Sequence, residues 1–197
     1  RGDEIMIGYF DCYCGVAGDM VLGAMLDAGL PFEHLKRQLR SLKLKGYRLE
    51  KRIDRRGVIG GVNLNVIIER HSHHHHTGFG DIRRMIRSSR LNKNIKETSV
   101  GIFETLARAE AHVHRTSIDH VHFHEVGAVD SIVDIVGAAI GFDHFGLKKI
   151  YSSPLPGTRG WVKCQHGRMP VPAPATLEIL KGVKLVPSPV RAEVVTP

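Results

Sequence analysis

The sequence predicts an α+β, or mixed α/β, fold in which one sheet with an antiparallel hairpin is packed by several helices. Segments whose apolar residues recur at helical spacing are interspersed with short β-prone runs. Two neighbouring runs of alternating apolar and polar residues are typical of a hairpin, which breaks the strict alternation of a doubly wound sheet. A chain of 197 residues that is 42% hydrophobic can bury one sizeable core. We therefore predict a single domain over residues 1–197.

The N-terminal region predicts a strand, a glycine-containing loop and a helix. Their expected bounds are residues 4–10 for a buried strand, 11–20 for the loop and 21–30 for the helix. Amide groups at the start of a helix point outward, and glycines let an anion approach them closely. The loop therefore offers four candidate cofactor-binding residues, Asp11, Gly15, Gly18 and Asp19. An ordinary tight turn explains the same glycines, because the loop matches neither the dinucleotide fingerprint nor the P-loop.

The next predicted elements serve as scaffold. A proline begins the first helix, and leucines at helical spacing give it an apolar stripe beside basic residues. The expected bounds are residues 31–42 for this helix, 47–55 and 58–69 for the hairpin, and 80–89 and 95–114 for two further helices.

A histidine-rich tract, His71-Ser-His-His-His-His76, separates the hairpin from the next helix. Neutral imidazole is the usual nitrogen ligand of nickel, copper and zinc, so the tract predicts a metal-binding loop. Its candidate ligands are His73, His74, His75 and His76. We expect a mobile loop at about residues 71–79 that collects metal without catalysing a reaction. A polar loop that binds nothing is the alternative.

The densest set of ligand-type side chains lies between His120 and Asp134. Side chains alternate faces in an extended segment, so a strand here would place three imidazoles on one face, those of His120, His122 and His124. Val121 and Phe123 would form the opposite, apolar face. The apolar period then becomes helical, and this helix is predicted to run to about residue 144.

Asp130 and Asp134 are four residues apart and therefore share one face of that helix. Imidazole nitrogens and carboxylate oxygens suit a borderline or hard divalent cation, alone or with a phosphate. The candidate metal ligands are His120, His122, His124, Asp130 and Asp134, with Glu125 close by in sequence. The alternative is a core strand whose histidines bond to backbone groups, followed by an amphipathic helix with solvated aspartates.

The C-terminal region predicts two short strands, a proline-stiffened loop and a helix. Their expected bounds are residues 150–153 and 161–163 for the strands, 165–175 for the loop and 175–181 for the helix. The loop would hold His166 and Arg168 rigidly. Arg168 is a fifth candidate cofactor-binding residue, because a guanidinium group pairs well with anionic oxygens.

Composition limits the class of protein. The formal net charge of +8 favours anionic partners such as nucleotides, whereas an aromatic content of 6% and the lack of a recognition signature disfavour nucleic acid. No run approaches the ~18 apolar residues of a membrane span, and the N-terminus lacks the form of a signal peptide. Three cysteines argue against a disulfide framework. We expect a cytoplasmic protein without a membrane partner, either monomeric or a homo-oligomer.

Three separated motifs closely resemble a known family. They occupy residues 10–29, 122–139 and 166–176, and the histidine-rich tract lies between the first and the second. The family is the nickel insertion protein of nickel-pincer nucleotide cofactor synthesis. The resemblance implies a CTP-dependent cyclometallase of the lyase class. Such an enzyme places nickel into pyridinium bisthiocarboxylic acid mononucleotide through two nickel–sulfur bonds and one nickel–carbon bond, and the finished cofactor serves lactate racemase and related enzymes.

The sequence departs from the family in two places. Cys14 stands where a serine or a similar small polar residue is expected. Family members also continue into a C-terminal domain, which this chain is expected to lack. If that domain carries part of the nucleotide or nickel site, this chain alone is inactive.

Resemblance and residue chemistry together suggest the roles of the candidate residues. Nickel is expected to gather at the histidine-rich tract and pass to the central cluster, where an imidazole can take a ring proton. The candidate catalytic residues are His122, His124 and Glu125. Magnesium or manganese held by Asp11, Asp130 and Asp134 would bridge the phosphates of CTP. The expected partners are the mononucleotide precursor, the nucleotide and the apo racemase; a nickel storage or delivery protein without turnover is the alternative.

Overall fold

The computed structural model describes residues 5–69, 78–121, 123, 129–164 and 167–197. Its helices are α1 (Gly18–Asp27), α2 (Phe32–Arg40), α3 (Phe79–Ser88), α4 (Lys93–His114), α5 (Val129–His144) and α6 (Pro174–Ile179). Its strands are β1 (Ile7–Phe10), β2 (Tyr47–Arg56), β3 (Ile59–Ile68), β4 (Lys149–Ser152), β5 (Leu155–Gly157), β6 (Gly160–Cys164), β7 (Gly167–Val171) and β8 (Leu185–Pro187). The predicted α+β class is confirmed.

The described strands pair in four two-stranded sheets, in place of the one sheet that was expected. β1 pairs with β4 and β5 with β8 in parallel, whereas β2–β3 and β6–β7 are antiparallel. The β2–β3 pair is the predicted hairpin, in register from Tyr47↔Ile68 to Arg56↔Ile59. Helix α1 packs on β3, where Leu64 is buried. The hairpin therefore covers one side of α1.

The main hydrophobic core surrounds α5. Helices α1, α2 and α4 pack on this helix and contribute Leu22, Leu35 and Phe103 to the same core. The buried residues of α5 recur at helical spacing and include Ile132, Val133, Val136, Ala139 and Ile140. Because α5 is held by three helices, the position of its first half, which carries Asp130 and Asp134, is fixed by the core.

Strand β1 forms as predicted, but it is not the buried strand that was expected. Ile7 and Tyr9 are 51% and 65% exposed. They share one face of the strand, and β4 is its pairing partner within the described part of the chain. Phe10 points the other way and packs edge-on against Phe142, with ring centroids 6.2 Å apart. Apolar composition thus predicted the strand but not its exposure.

The segment that precedes α5 also differs from the prediction. Ile118–His120 forms a short 3-10 helix, in which the amide of His120 donates to the carbonyl of Ser117 at 3.0 Å. A turn therefore replaces the beginning of the predicted strand, so the alternation argument does not hold at His120. Val121 and Phe123 are nevertheless buried, 3% and 2% exposed, which confirms the predicted apolar positions.

The C-terminal segment lies against the loop that leads into α1. The amide of Val16 donates to the carbonyl of Val194 at 2.7 Å, and Val16 forms a parallel bridge with Val195. The segment predicted as a loop at residues 165–175 contains β7, which pairs with β6. Within the described residues, no helix combines the length and the apolar character needed to cross a membrane.

Candidate functional site

A cavity of about 540 Å³ lies where the beginning of α1, the end of α4, the first half of α5 and the β7–α6 connection meet. Its volume lies within the range that small-molecule ligands occupy in proteins. All three motifs noted in the sequence contribute to its lining. Six of the contributing residues are Gly18, Asp19, Asp134, Ala138, Met169 and Ala173.

Asp134 packs directly against the first residue of α1. A Cβ atom on Gly18 would lie 2.5 Å from Cβ of Asp134 and 2.6 Å from its Oδ2. Only glycine therefore allows this approach. Ala17, the N-cap of α1, provides no side-chain hydrogen bond, so the first turn lacks the usual acceptor from an N-cap side chain. The partial positive charge at this helix end favours a carboxylate.

Asp134 nevertheless lacks a partner for one of its oxygens. Its Oδ1 is buried and accepts no hydrogen bond from any described residue. Burial raises the pKa of Asp134 from 3.8 to about 7, and the nearby charges of Asp19 and Asp130 add to the increase. A buried acceptor without a donor is costly. A cation placed among these three carboxylates would satisfy the free oxygen and relieve their mutual repulsion.

The other two carboxylates of this set are held by local hydrogen bonds. Oδ1 of Asp19 accepts from the amide of Met20, and Oδ1 of Asp130 accepts from the amide of Ser131, each at 2.8 Å. Both side chains lie near the surface, whereas Asp134 is half-buried. The described ranges contain no group of three or more histidine, cysteine, aspartate or glutamate side chains arranged to hold a metal. Asp134 is thus the focus of the acidic set, but not a complete metal site.

The lining of the cavity is acidic, although the chain as a whole is basic. Glu110, Glu193, Asp19 and Asp134 contribute carboxylates, and Nε2 of His114 lies 3.4 Å from Oε2 of Glu110. Among the described residues, the lining contains neither lysine nor arginine. This set of groups favours a cation, or an anionic ligand that carries a cation with it, over a bare phosphate.

Three of these lining residues were not candidates in the sequence. Glu110 and His114 are four residues apart near the end of α4, so helical spacing could have identified them as a pair. For His114, at the end of a predicted helix, the sequence leaves open both a capping role at the helix dipole and a ligand role. Glu193 lies in a segment without a recognised motif and reaches the cavity only because that segment returns to the loop before α1.

Several candidates of the glycine loop lie away from the cavity. Asp11 is exposed at the end of β1 and does not line it. Gly15 is buried with a φ of +104°, and a Cβ there would collide with the carbonyl oxygen of Val194. This contact with the C-terminal segment accounts for glycine at that position without any ligand.

Arg168 and His120 are also outside the cavity lining. Arg168 precedes Met169, which lines the cavity, and neighbouring residues of a strand point to opposite faces. The guanidinium group of Arg168 lies over the ring of Trp161, 4.7 Å from its centre. The imidazole of His120 is exposed, with Nδ1 2.7 Å from Oγ of Ser117.

The remaining candidates lie outside the described residues. They are His73, His74, His75, His76, His122, His124, Glu125 and, from the third motif, His166.

Comparison with known proteins identifies the family of this chain. Residues 8–197 match the family described as nickel insertion protein. The chain belongs to this family. Proteins of two strains of Desulfitobacterium hafniense, both named pyridinium-3,5-bisthiocarboxylic acid mononucleotide nickel insertion protein, are 48% identical over 191 residues, which is 96% of this chain and 46% of each relative. A relative from Citrifermentans bemidjiense, to which the name nickel insertion protein is given provisionally, is 47% identical over 97% of this chain and 49% of its own length.

The chain therefore spans about half the length of the curated relatives it matches. No solved structure gives a significant match.

Proposed function

We propose that this chain takes part in the CTP-dependent insertion of nickel into pyridinium bisthiocarboxylic acid mononucleotide. One observation carries the proposal: three motifs that are far apart in the sequence line one cavity around a half-buried carboxylate with an unpartnered oxygen. Family membership and the names of the longer relatives agree with this function. The protein would act as a nickel chelatase of the lyase class, and the product would mature lactate racemase and related enzymes.

Nickel is the substrate ion in this proposal. His73, His74, His75 and His76 would gather it, and His120, His122, His124 and Glu125 would receive it nearer the site. Support comes from connectivity, because His124 and Glu125 lie between Phe123, which is buried in the core, and Val129, which begins α5. His122 directly precedes Phe123 in the chain. Asp134, only one and a half helical turns beyond Val129, lines the cavity. The central cluster is therefore tethered close to the acidic lining.

The chemistry requires a proton acceptor. When a nickel–carbon bond replaces a ring carbon–hydrogen bond, the ring proton must pass to a base. An imidazole of His122 or His124, or the carboxylate of Glu125, could accept it, since such groups commonly act as general bases. The two sulfur atoms of the mononucleotide would take the other two positions on nickel.

CTP requires a separate argument, because an acidic lining repels phosphate. A hard divalent cation such as magnesium or manganese, held by Asp130 and Asp134, would supply the positive charge that the phosphates need beside this acidic lining. The residues present suit this role in one respect: the free oxygen of Asp134 can accept a cation. Gly18 and Asp19 would meet the rest of the nucleotide inside the cavity. The cavity lining does not include Asp11, Gly15 or Arg168. A role for any of these three would require that the nucleotide also contacts the protein outside the cavity.

Further aspects of the proposal rest on general chemistry. Cys12 and Cys14 are free thiols, which agrees with a cytoplasmic location. The proposed partners are the mononucleotide precursor, CTP and the apo racemase, and assembly as a homo-oligomer is compatible with the exposed face of β1. The proposal assigns the reaction to the whole family protein, of which this chain supplies about half.

A second function, nickel storage or delivery without turnover, is favoured by one observation. Four consecutive histidines can bind nickel without any contribution from the cavity. This alternative gives no role to Asp134 or to the convergence of the three motifs.

The decisive experiment incubates the purified chain with nickel, CTP, magnesium or manganese and the thiolated mononucleotide, followed by mass spectrometry of the nickelated product. Product that forms with CTP and not without it supports nickel insertion. Bound nickel without product supports storage. The Desulfitobacterium hafniense relative, assayed in parallel, is the control: if it makes product alone but this chain does so only when the C-terminal half of that relative is added, the reaction needs both halves.

A further inference from the structure

A pair of histidines outside the cavity joins two helices of the core. His34 lies on α2 and His144 is the last residue of α5. Their ring centroids are 5.4 Å apart, and the ring planes make an angle of 44°. His34 is half-buried and His144 is exposed, so water reaches the space between them. His144 lies ten positions after Asp134 on this helix, which corresponds to about 15 Å along the axis.

We propose that His34 and His144 together bind one late first-row divalent cation, such as nickel, zinc or copper, with water completing the coordination. The distance supports this. An imidazole nitrogen binds such a metal at about 2.0–2.1 Å, which places the ring centre about 3.2 Å from the metal, so two imidazoles at a tetrahedral angle have centres about 5.2 Å apart. The observed separation of 5.4 Å is close to this value.

The surroundings favour a cation at this position. The C-terminal end of α5 carries partial negative charge from its last carbonyl groups. Asp143 directly precedes His144 in the chain, and its carboxylate accepts a hydrogen bond from the side-chain amide of Asn92 at 2.7 Å. Phe145 packs edge-on against His144, with ring centroids 5.1 Å apart, and so limits the freedom of that imidazole.

One neighbouring group competes with the metal. Nη2 of Arg37 donates to Nδ1 of His34 at 3.1 Å. A metal that binds this nitrogen must displace the guanidinium group, which is exposed and can move away. Removal of Arg37 should therefore tighten metal binding more than removal of Arg40, which carries the same charge on the same helix. The site is independent of the proposed nickel insertion reaction.

The test uses a background chain in which His73 to His76 are replaced by serine, because that tract would bind the same metals. Calorimetric titration with nickel and with zinc is then compared between the background and the variants His34→Gln and His144→Gln. We expect each variant to lose the same single binding event, with affinity at that site reduced at least tenfold. The double variant should lose no more than either single variant. Arg37→Ala should tighten binding several-fold relative to Arg40→Ala.

The control is His112→Gln, which changes an exposed histidine of α4 and should leave the titration unchanged. Thermal midpoints measured without metal establish that the glutamine variants are folded. A zinc titration of His144→Cys provides a second measure, since a thiolate also binds zinc and should restore much of the affinity that glutamine removes. Unchanged titrations in both glutamine variants would overturn the proposal. So would loss in one variant alone, or loss of two separate events in the double variant.

Discussion

Gly18 and Asp134 are in direct contact, across the junction of α1 and α5. A Cβ atom at position 18 would lie 2.5 Å from Cβ of Asp134. The glycine thus brings a half-buried carboxylate to the beginning of a helix that has no side-chain cap. The glycine-containing loop of the sequence predicts that Gly18 lets an external anion approach. In the structure, the group that approaches Gly18 is the carboxyl group of Asp134, a side chain of the same protein.

This contact predicts that Gly18→Ala destabilises the protein. The added methyl group meets Cβ of Asp134, which cannot move without α5, so we expect a loss of about 1–3 kcal/mol in the free energy of unfolding. Gly101→Ala is the matched control: this exposed glycine of α4 has open space around it, and alanine there should stabilise by about 0.5–1 kcal/mol. Urea denaturation of both variants measures the difference. If both substitutions changed the free energy of unfolding by the same amount, the close contact between Gly18 and Asp134 would be contradicted.

A second prediction concerns pH. The pKa of Asp134 is raised to about 7, by burial first and then by the charges of Asp19 and Asp130. The folded protein therefore holds this proton more tightly than the unfolded chain does. The protonated carboxyl group of Asp134 therefore stabilises the folded state. This stabilisation is complete below about pH 4 and is lost as the pH rises through about 7.

Asp134→Asn removes this titration. Without metal, we expect the variant and the original chain to be about equally stable near pH 4, and the variant to be more stable at pH 8 by on the order of a few kcal/mol. Denaturant titrations across this range, with a chelator present, provide the measurement. Asp27→Asn, which changes an exposed carboxylate at the end of α1, should leave the pH dependence nearly unaltered. If Asp134→Asn follows the same pH curve as the original chain, the carboxylate is not held as described.

A third prediction separates metal collection from folding. Replacing His73 to His76 with serine should lower the number of nickel ions bound per chain and leave the thermal midpoint nearly unchanged. The sequence predicts that the tract is a solvated loop, and such a loop contributes few buried contacts to stability. Equilibrium dialysis with nickel and a thermal melt of the metal-free protein measure the two quantities. A large fall in the midpoint would show that the tract is part of the folded core.

Much of the fold could be predicted, because helical periodicity is a strong local signal. The bounds of α5, the β2–β3 hairpin and the shared face of Asp130 and Asp134 all followed from spacing alone. Burial was harder to predict, because it depends on which elements meet. Spacing could not distinguish exposed Asp130 from half-buried Asp134. It also could not indicate that β1 would leave Tyr9 exposed, since apolar runs look alike whether or not another element covers them.

The candidate site shows the same limit. Its motifs were recognisable, but their convergence depends on long-range contacts such as that of Val16 with Val194. Glu193 enters the cavity lining through this contact. Arg168 was the opposite case: its residue type suggested a ligand role, yet strand alternation places it on the face opposite Met169.

The last prediction tests the proposed cation between CTP and the acidic lining. If Asp130 and Asp134 hold magnesium or manganese, the metal and CTP together should raise the thermal midpoint of the original chain. Asp134→Asn should abolish most of that increase, because a neutral amide replaces the carboxylate whose buried oxygen has no other partner among the described residues. Asp130→Asn should reduce it less, since that carboxylate is exposed and already accepts a bond from the amide of Ser131.

Asp27→Asn is again the control. It removes one negative charge, as the other two variants do, but at a residue of α1 that does not line the cavity. The measurement is a thermal melt of each protein with metal alone, with CTP alone and with both. If the ligand-induced increase were the same in all three variants as in the original chain, Asp130 and Asp134 would not be the cation ligands. An increase that persists in Asp134→Asn and disappears in Asp130→Asn would instead place the cation at the exposed end of α5, away from the cavity.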